Sequence, residues 1–176
     1  TRLGESMYSL AAGCNLLLIP NGSLAMAVAG MSSTSGRCHV FDAKADGQAR
    51  SEGCAAAVLC PGTDMSQGIH LLGGSMMQEG KKTSLFAANG QAQRWMVSSA
   101  LSRTAVDAKN VAWVECAALA NPFGDPIELV ALAAELSLHT RLAAGNIKGG
   151  CAHTECVSGL VALEMLHMKL HGAAST

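Results

Sequence analysis

Val114-Glu115-Cys116-Ala117-Ala118-Leu119-Ala120-Asn121-Pro122-Phe123-Gly124-Asp125-Pro126-Ile127-Glu128 changes character halfway along. Upstream, Val111-Ala112-Trp113-Val114 is an apolar run of β type. Downstream, Asp125 suits a helix N-cap, and Pro126 falls at the first helical position, where its missing N–H costs nothing. Glu128 stands third, where its carboxylate can return to the N–H of the cap residue. A helix is predicted from there to about Leu136. The order strand, loop, capped helix predicts an α/β fold, and the loop is where such a fold carries chemistry.

The rest of the composition agrees with a buried α/β core. The 176 residues are 49% hydrophobic, 14% charged and only 3% aromatic, with 19 glycines. Net charge is −1, with no basic stripe, which argues against a nucleic-acid surface. The longest apolar run, around Leu16 to Ile19, is far short of a membrane span. Seven cysteines (Cys14, Cys38, Cys54, Cys60, Cys116, Cys151 and Cys156) include no Cys-x-x-Cys pair, so neither zinc nor a disulfide scaffold is expected. They read as buried free thiols in a reducing compartment, such as cytoplasm or the interior of a plastid or mitochondrion. The glycine-rich loops lack phosphate-binding order, and no cofactor is expected. The chain begins at Thr1 rather than Met, which suits a partial or processed sequence.

Outward from the central stretch, further elements follow. Residues 1–6 read as a helix end stopped at Gly4, and Met7 to Leu18 as a buried strand. Pro20-Asn21-Gly22 signals a turn, and Leu24 to Met31 a short helix ended by Gly30. Cys54 to Cys60 and Ile69 to Ser75 read as two strands that pair across a short loop. Gln78 to Thr83 reads as a polar loop, and Asn89 caps a helix to about Arg103 with Ala92, Met96, Ala100 and Leu101 on one face. Between residues 36 and 53, Arg37 and Arg50 with Asp42, Asp46 and Glu52 suit a partly buried ion-pair network, the alternative being a carboxylate pair for acid–base work. After Lys148 and His153, Val157, Leu160, Val161, Met165 and Met168 mark the apolar face of a last helix. Gly159 would allow close packing there, and Gly172 would stop it.

Four of these segments carry a resemblance. Gly36-Arg37-Cys38-His39-Val40-Phe41-Asp42-Ala43-Lys44-Ala45-Asp46-Gly47-Gln48-Ala49-Arg50-Ser51-Glu52-Gly53 closely resembles a segment of the β-ketoacyl synthases of polyketide and fatty-acid synthesis. Gly124-Asp125-Pro126-Ile127-Glu128 after Val114-Glu115 resembles the family's Val-Glu-Ala-His-Gly-Thr-Gly-Thr-x-x-Gly-Asp-Pro-Ile-Glu. Leu85 to Gln93 is similar to Leu-Thr-Ala-Pro-Asn-Gly-x-Ala-Gln. Residues 147–159 are similar to Val-Lys-Ser-Asn-Ile-Gly-His-Thr-Glu-Ala-Ala-Ala-Gly, with Lys148, His153, Thr154, Glu155 and Gly159 matching.

The resemblance implies a thiolase-like α/β fold, of which this chain is essentially one α-β-α half of a five-layered α-β-α-β-α sandwich. Residues 1–53 would be the end of the N-terminal half with its connecting segment, and 54–176 the C-terminal half. It also implies a Cys nucleophile and two histidines. Here the first His position is Ala117, the glycine–threonine run is Ala118 to Asn121, and the Cys segment lies upstream of Thr1. His153 and Lys148 are the catalytic remnants it implies. Without the resemblance, His153 reads as a helix-start histidine bonded to its neighbours, with Lys148 paired to Glu155. Cys116 and Cys151 lie beside the family's two His loops, and either is a candidate substitute nucleophile.

The favoured expectation is a ketosynthase-like protein without condensing activity, acting as a structural or interaction part of a larger assembly. The alternatives are part of a working β-ketoacyl synthase, or a decarboxylating or acyl-thioester-binding module that needs only His153. A half sandwich leaves an apolar face for other protein chains to cover. The family implies a homodimer or larger complex and an acyl carrier protein as partners.

Overall fold

A computed structural model describes residues 6–62, 69–80, 87–136 and 142–172. The expectations for residues 1–5, and for parts of the 78–83 loop and the Leu85 to Gln93 segment, lie outside these.

Strand β1 (Ser9–Asn15) pairs antiparallel with β2 (Gly53–Leu59), setting Leu10 opposite Val58, Ala12 opposite Ala56 and Cys14 opposite Cys54. Small residues alternate to the inner side, where Gly13 faces Val157. Ile69 to Ser75, expected to pair with the Cys54 run, forms no strand. β1 offers β2 seven paired positions instead, and Gly73-Gly74 weakens the competing segment. Pro20-Asn21-Gly22 is not a separate turn but the first turn of α1 (Pro20–Val28), because proline's fixed φ suits that position.

Helix α2 (Gly90–Thr104) begins as expected, with Asn89 Oδ1 accepting the Ala92 N–H at 3.1 Å. Its inner face is shifted, since Val97 and Leu101 pack on the core while Met96 is exposed. Strand β3 (Trp113–Glu115) leads through the central loop to α3 (Gly124–Leu136), which crosses over to the parallel strand β4 (Ala143–Gly145). Gly145 is required there, because a Cβ would lie 2.7 Å from Trp113 Cζ2. Cys116, Ala118, Leu132 and Leu136 form the buried core, against which Val40, Phe41, Val97 and Val114 pack.

A short helix α4 (Lys148–Cys151) and a 3₁₀ turn (Glu155–Val157) introduce α5 (Ser158–Gly172). α5 is helical through Gly172, the last described residue, so whether that glycine stops it lies outside the described residues. Gly159 was expected to permit close packing, yet nothing described lies within 4 Å of where its Cβ would be, and Met168 is exposed. The cysteines also depart from expectation. Only Cys38 and Cys116 are buried, and the other five are exposed.

Candidate functional site

The carboxylates at the start of α3 shape the site. Asp125 and Glu128 do not form the predicted capping box. Helix α3 starts two residues earlier, at Gly124, and Asn121 Oδ1 caps it by accepting the N–H groups of Phe123 and Gly124, both at 2.9 Å. That frees Asp125, which is 3% exposed, for other partners. Its Oδ1 accepts from Leu119 N and Asn121 N at 3.1 Å each, and its Oδ2 from Phe41 N at 3.3 Å. Glu128 accepts from Ala117 N at 2.7 Å and Ala118 N at 2.8 Å. The two acids thus hold the 117–121 loop by its backbone and tie it to the segment around Phe41.

Lys148 comes to the same loop from α4. It is buried, and its Nζ donates to the Ala117 carbonyl at 2.5 Å. Asn146 Nδ2 donates to the carbonyls of Cys116 and Ala117, and Asn146 Oδ1 accepts from Lys148 N. Burial pushes Lys148 below the ordinary amine range, against the pull of the Glu128 and Glu115 carboxylates. The expected Lys148–Glu155 pair does not form. Glu155 instead binds Arg50 Nε at 2.6 Å.

His153 follows on the same segment. Its backbone bridges the 49–51 strip, donating to Ala49 O at 2.8 Å and accepting from Ser51 N at 3.0 Å. Its Nδ1 accepts the Glu155 N–H at 3.1 Å, so the neutral ring carries its proton on Nε2. Burial first, then the Lys148 charge, lowers its pKa, while Glu155 opposes the change. The structure therefore brings Ala117, Lys148 and His153 into one neighbourhood. The arrangement offers an imidazole N–H and a buried amine. At Ala117 it offers only a methyl and backbone.

The substitute nucleophiles fare poorly. Cys116 is buried beside Glu128, Glu115 and Asp125, and its thiol is pushed up to about 12, chiefly by burial. Burial also raises Cys151. Neither forms thiolate readily. The ion-pair network expected over residues 37–52 gives way to hydrogen bonds from backbone and hydroxyl donors, with Arg50 paired to Glu155 instead. Asp46 Oδ2 accepts from Thr34 N at 2.9 Å and Thr34 Oγ1 at 2.7 Å, which holds its carboxyl down to about 2. Asp42 accepts from Lys44 N and Glu52 from Leu17 N. Sequence reasoning missed a cavity of about 550 Å³ beside the loop, with neither Lys148 nor His153 in its lining. Gln48, Gln93, Ala117, Leu119, Phe123 and Glu128 help to line it. No local pattern signals it, because its walls come from five separate segments.

Comparison with known proteins places this geometry. The family model described as "Beta-ketoacyl synthase, C-terminal domain" matches residues 70–174, and "Beta-ketoacyl synthase, N-terminal domain" matches residues 1–65. A phenolphthiocerol/phthiocerol polyketide synthase of Mycobacterium tuberculosis is 35% identical over 95% of this chain, which spans 8% of that protein. The lovastatin diketide synthase of Aspergillus terreus is 33% identical over 92% of the chain, again 7% of its length. Among solved structures, the ketosynthase from module 6 of the bacillaene synthase of Bacillus subtilis matches with a TM-score of 0.86 and 27% identity. That match covers 95% of this chain and 32% of the other. The oxazolomycin ketosynthase domain of Streptomyces albus gives 0.87 and 26%, over 97% and 32%. The fold is thus the thiolase-like α/β fold of ketosynthase domains, and with more than half its residues matched by the C-terminal model the chain belongs to the β-ketoacyl synthase family.

Proposed function

We propose that this chain is a ketosynthase segment without condensing activity of its own, serving as a structural or interaction part of a larger polyketide-type assembly. The observation that carries the reading is at Ala117. Its methyl can neither donate nor accept a proton, and its carbonyl already holds the Lys148 amine at 2.5 Å. A catalytic unit that lacks one member loses most of its rate, because the members act together. Lys148 here braces a loop.

A second reading is favoured by His153. Its Nε2–H and the nearby Lys148 are donors of the kind that stabilise a developing enolate. On that reading the chain contributes to a working β-ketoacyl synthase whose nucleophilic cysteine lies outside these 176 residues, with an acyl carrier protein delivering the thioester.

The test is incubation of the whole protein that carries these 176 residues with an acyl thioester, then with a malonyl thioester, reading intact mass and carbon dioxide release. No acyl adduct and no decarboxylation support the first reading. A stable acyl adduct with condensed product overturns it in favour of the second. Decarboxylation without an adduct, abolished by His153→Ala, would assign His153 a role that needs neither Ala117 nor a cysteine.

A further inference from the structure

We propose that Arg50 and Glu155 are a positioning pair for His153, a clamp that fixes its imidazole with Nδ1 as acceptor and Nε2 as donor. This deepens the reading of His153 as an Nε2–H donor. The test reads the ring rather than any turnover, so either can fail without the other.

Four interactions close a circuit around residue 50. His153 N–H donates to the Ala49 carbonyl at 2.8 Å, and Ser51 N–H donates to the His153 carbonyl at 3.0 Å. Between Ala49 and Ser51, Arg50 sends its side chain to Glu155, a residue 105 positions away, with Nε donating to Oε1 at 2.6 Å. Glu155 N–H then donates to His153 Nδ1 at 3.1 Å. The 49–51 strip thus holds His153 twice by its backbone and once, through Glu155, by its ring.

Backbone strain marks the link that needs support. Glu155 sits at φ 51°, a left-handed conformation that a non-glycine residue keeps only where its surroundings over-determine it. The bond to Arg50 supplies that tether, and Arg50 is itself anchored. Its Nη1 donates to Ser23 Oγ at 3.1 Å, and Gly22 lets α1 come so close that a Cβ there would lie 3.1 Å from Nη1. The Arg50 and Glu155 side chains are 16% and 32% exposed, so the clamp is internal to the chain and needs no free surface.

Nδ1 must give up the Glu155 N–H before it can take a proton, so the clamp disfavours the imidazolium. The charges about the ring act separately. Burial lowers its pKa most, Lys148 of α4 lowers it further, and the Glu155 carboxylate of the 3₁₀ turn raises it. Positioning and charge therefore predict opposite signs when the pair is removed.

The experiment follows deuterium exchange at the His153 C2 position by mass spectrometry across pH, in the whole protein that carries these 176 residues. The exchange rate titrates with the ring. Arg50→Met combined with Glu155→Gln breaks the clamp at constant net charge. Its midpoint is expected to rise by about half a pH unit or more, the worth of one hydrogen bond. Loss of the carboxylate alone would lower it. Glu155→Gln by itself keeps an acceptor for Arg50 Nε and is expected to lower the midpoint. Arg50→Lys keeps the charge but lacks the Nε–H, so it is expected to raise the midpoint, and it decides the matter if the double variant does not fold. An unchanged or lowered midpoint where the clamp is broken, or a raised one in Glu155→Gln alone, would overturn the proposal.

Discussion

Besides Ala105 at the end of α2, three alanines hold backbone conformations that L side chains avoid: Ala118 at φ 33°, Ala120 at φ 54° and Ala152 at φ 62° with ψ −173°. Each stands where the ketosynthase pattern carries glycine. Ala152 lies in the region that is essentially glycine-only, at a cost of about 1–3 kcal/mol. Ala152→Gly removes that strain and returns about 0.5–1 kcal/mol in unfolded-chain entropy. The expected net gain is about 1 kcal/mol, read as a higher urea midpoint at constant slope. Ala118 and Ala120 are almost fully buried, and deleting a buried methyl costs about 0.8 kcal/mol, so the same change there should be close to neutral. A larger gain at Ala118 than at Ala152 would contradict this ranking. Asp125→Ala strands three N–H groups and is expected to cost about 3 kcal/mol or more by the same measurement. His153 gives the molecule a pH dependence. Its folded pKa lies below 6.5, so the unfolded chain takes up the proton first as pH falls. Its contribution is complete above 6.5 and shrinks as pH drops from there toward the folded value. Denaturant midpoints measured across that window should fall with pH, and His153→Gln should flatten the slope.

Among the helices, α2 owes its start to one side chain. Asn89→Ala removes the bond to Ala92 N and should cost about 1 kcal/mol, whereas Gln91→Ala at an exposed site should cost almost nothing. Capping chemistry of this kind is local, which is why Asn89 was legible in the sequence. The same logic failed at α3, where two residues compete for the cap. Asn121 took it, and Asp125 was drawn to Leu119 and to Phe41, a partner 84 positions away that no local pattern encodes. Strand existence was legible for β1, β2 and β3, but the pairing of β2 was not. Apolar alternation says that a strand wants a neighbour without saying which neighbour is nearest in space. The site divides the same way. The motif located Ala117, Lys148 and His153, but the Lys148 bond to the Ala117 carbonyl bridges 31 positions and appears only once β3 and β4 are side by side.

At the scale of the molecule, surface area is the decisive quantity. A compact monomer of 18.0 kDa should expose about 8,000 Å², yet this chain exposes 11905 Å². The excess is several times the roughly 800 Å² that one partner contributes to a standard interface. Much of it is apolar. Leu10 and Val58, opposed on the sheet, are each 69% exposed, and Leu18, Ile19, Leu24 and Val28 are exposed around α1. Apolar surface on this scale associates in water. The 176 residues expressed alone are therefore expected to run, by light scattering, at a native mass well above 18.0 kDa. Replacing the opposed pair as Leu10→Lys with Val58→Glu keeps a favourable cross-strand contact while making the patch polar. That variant should shift the population toward the monomer with its circular dichroism unchanged. A wild-type chain that stays monomeric at 18.0 kDa would show that the exposed face needs no cover, and the reading of this segment as part of a larger assembly would fall with it.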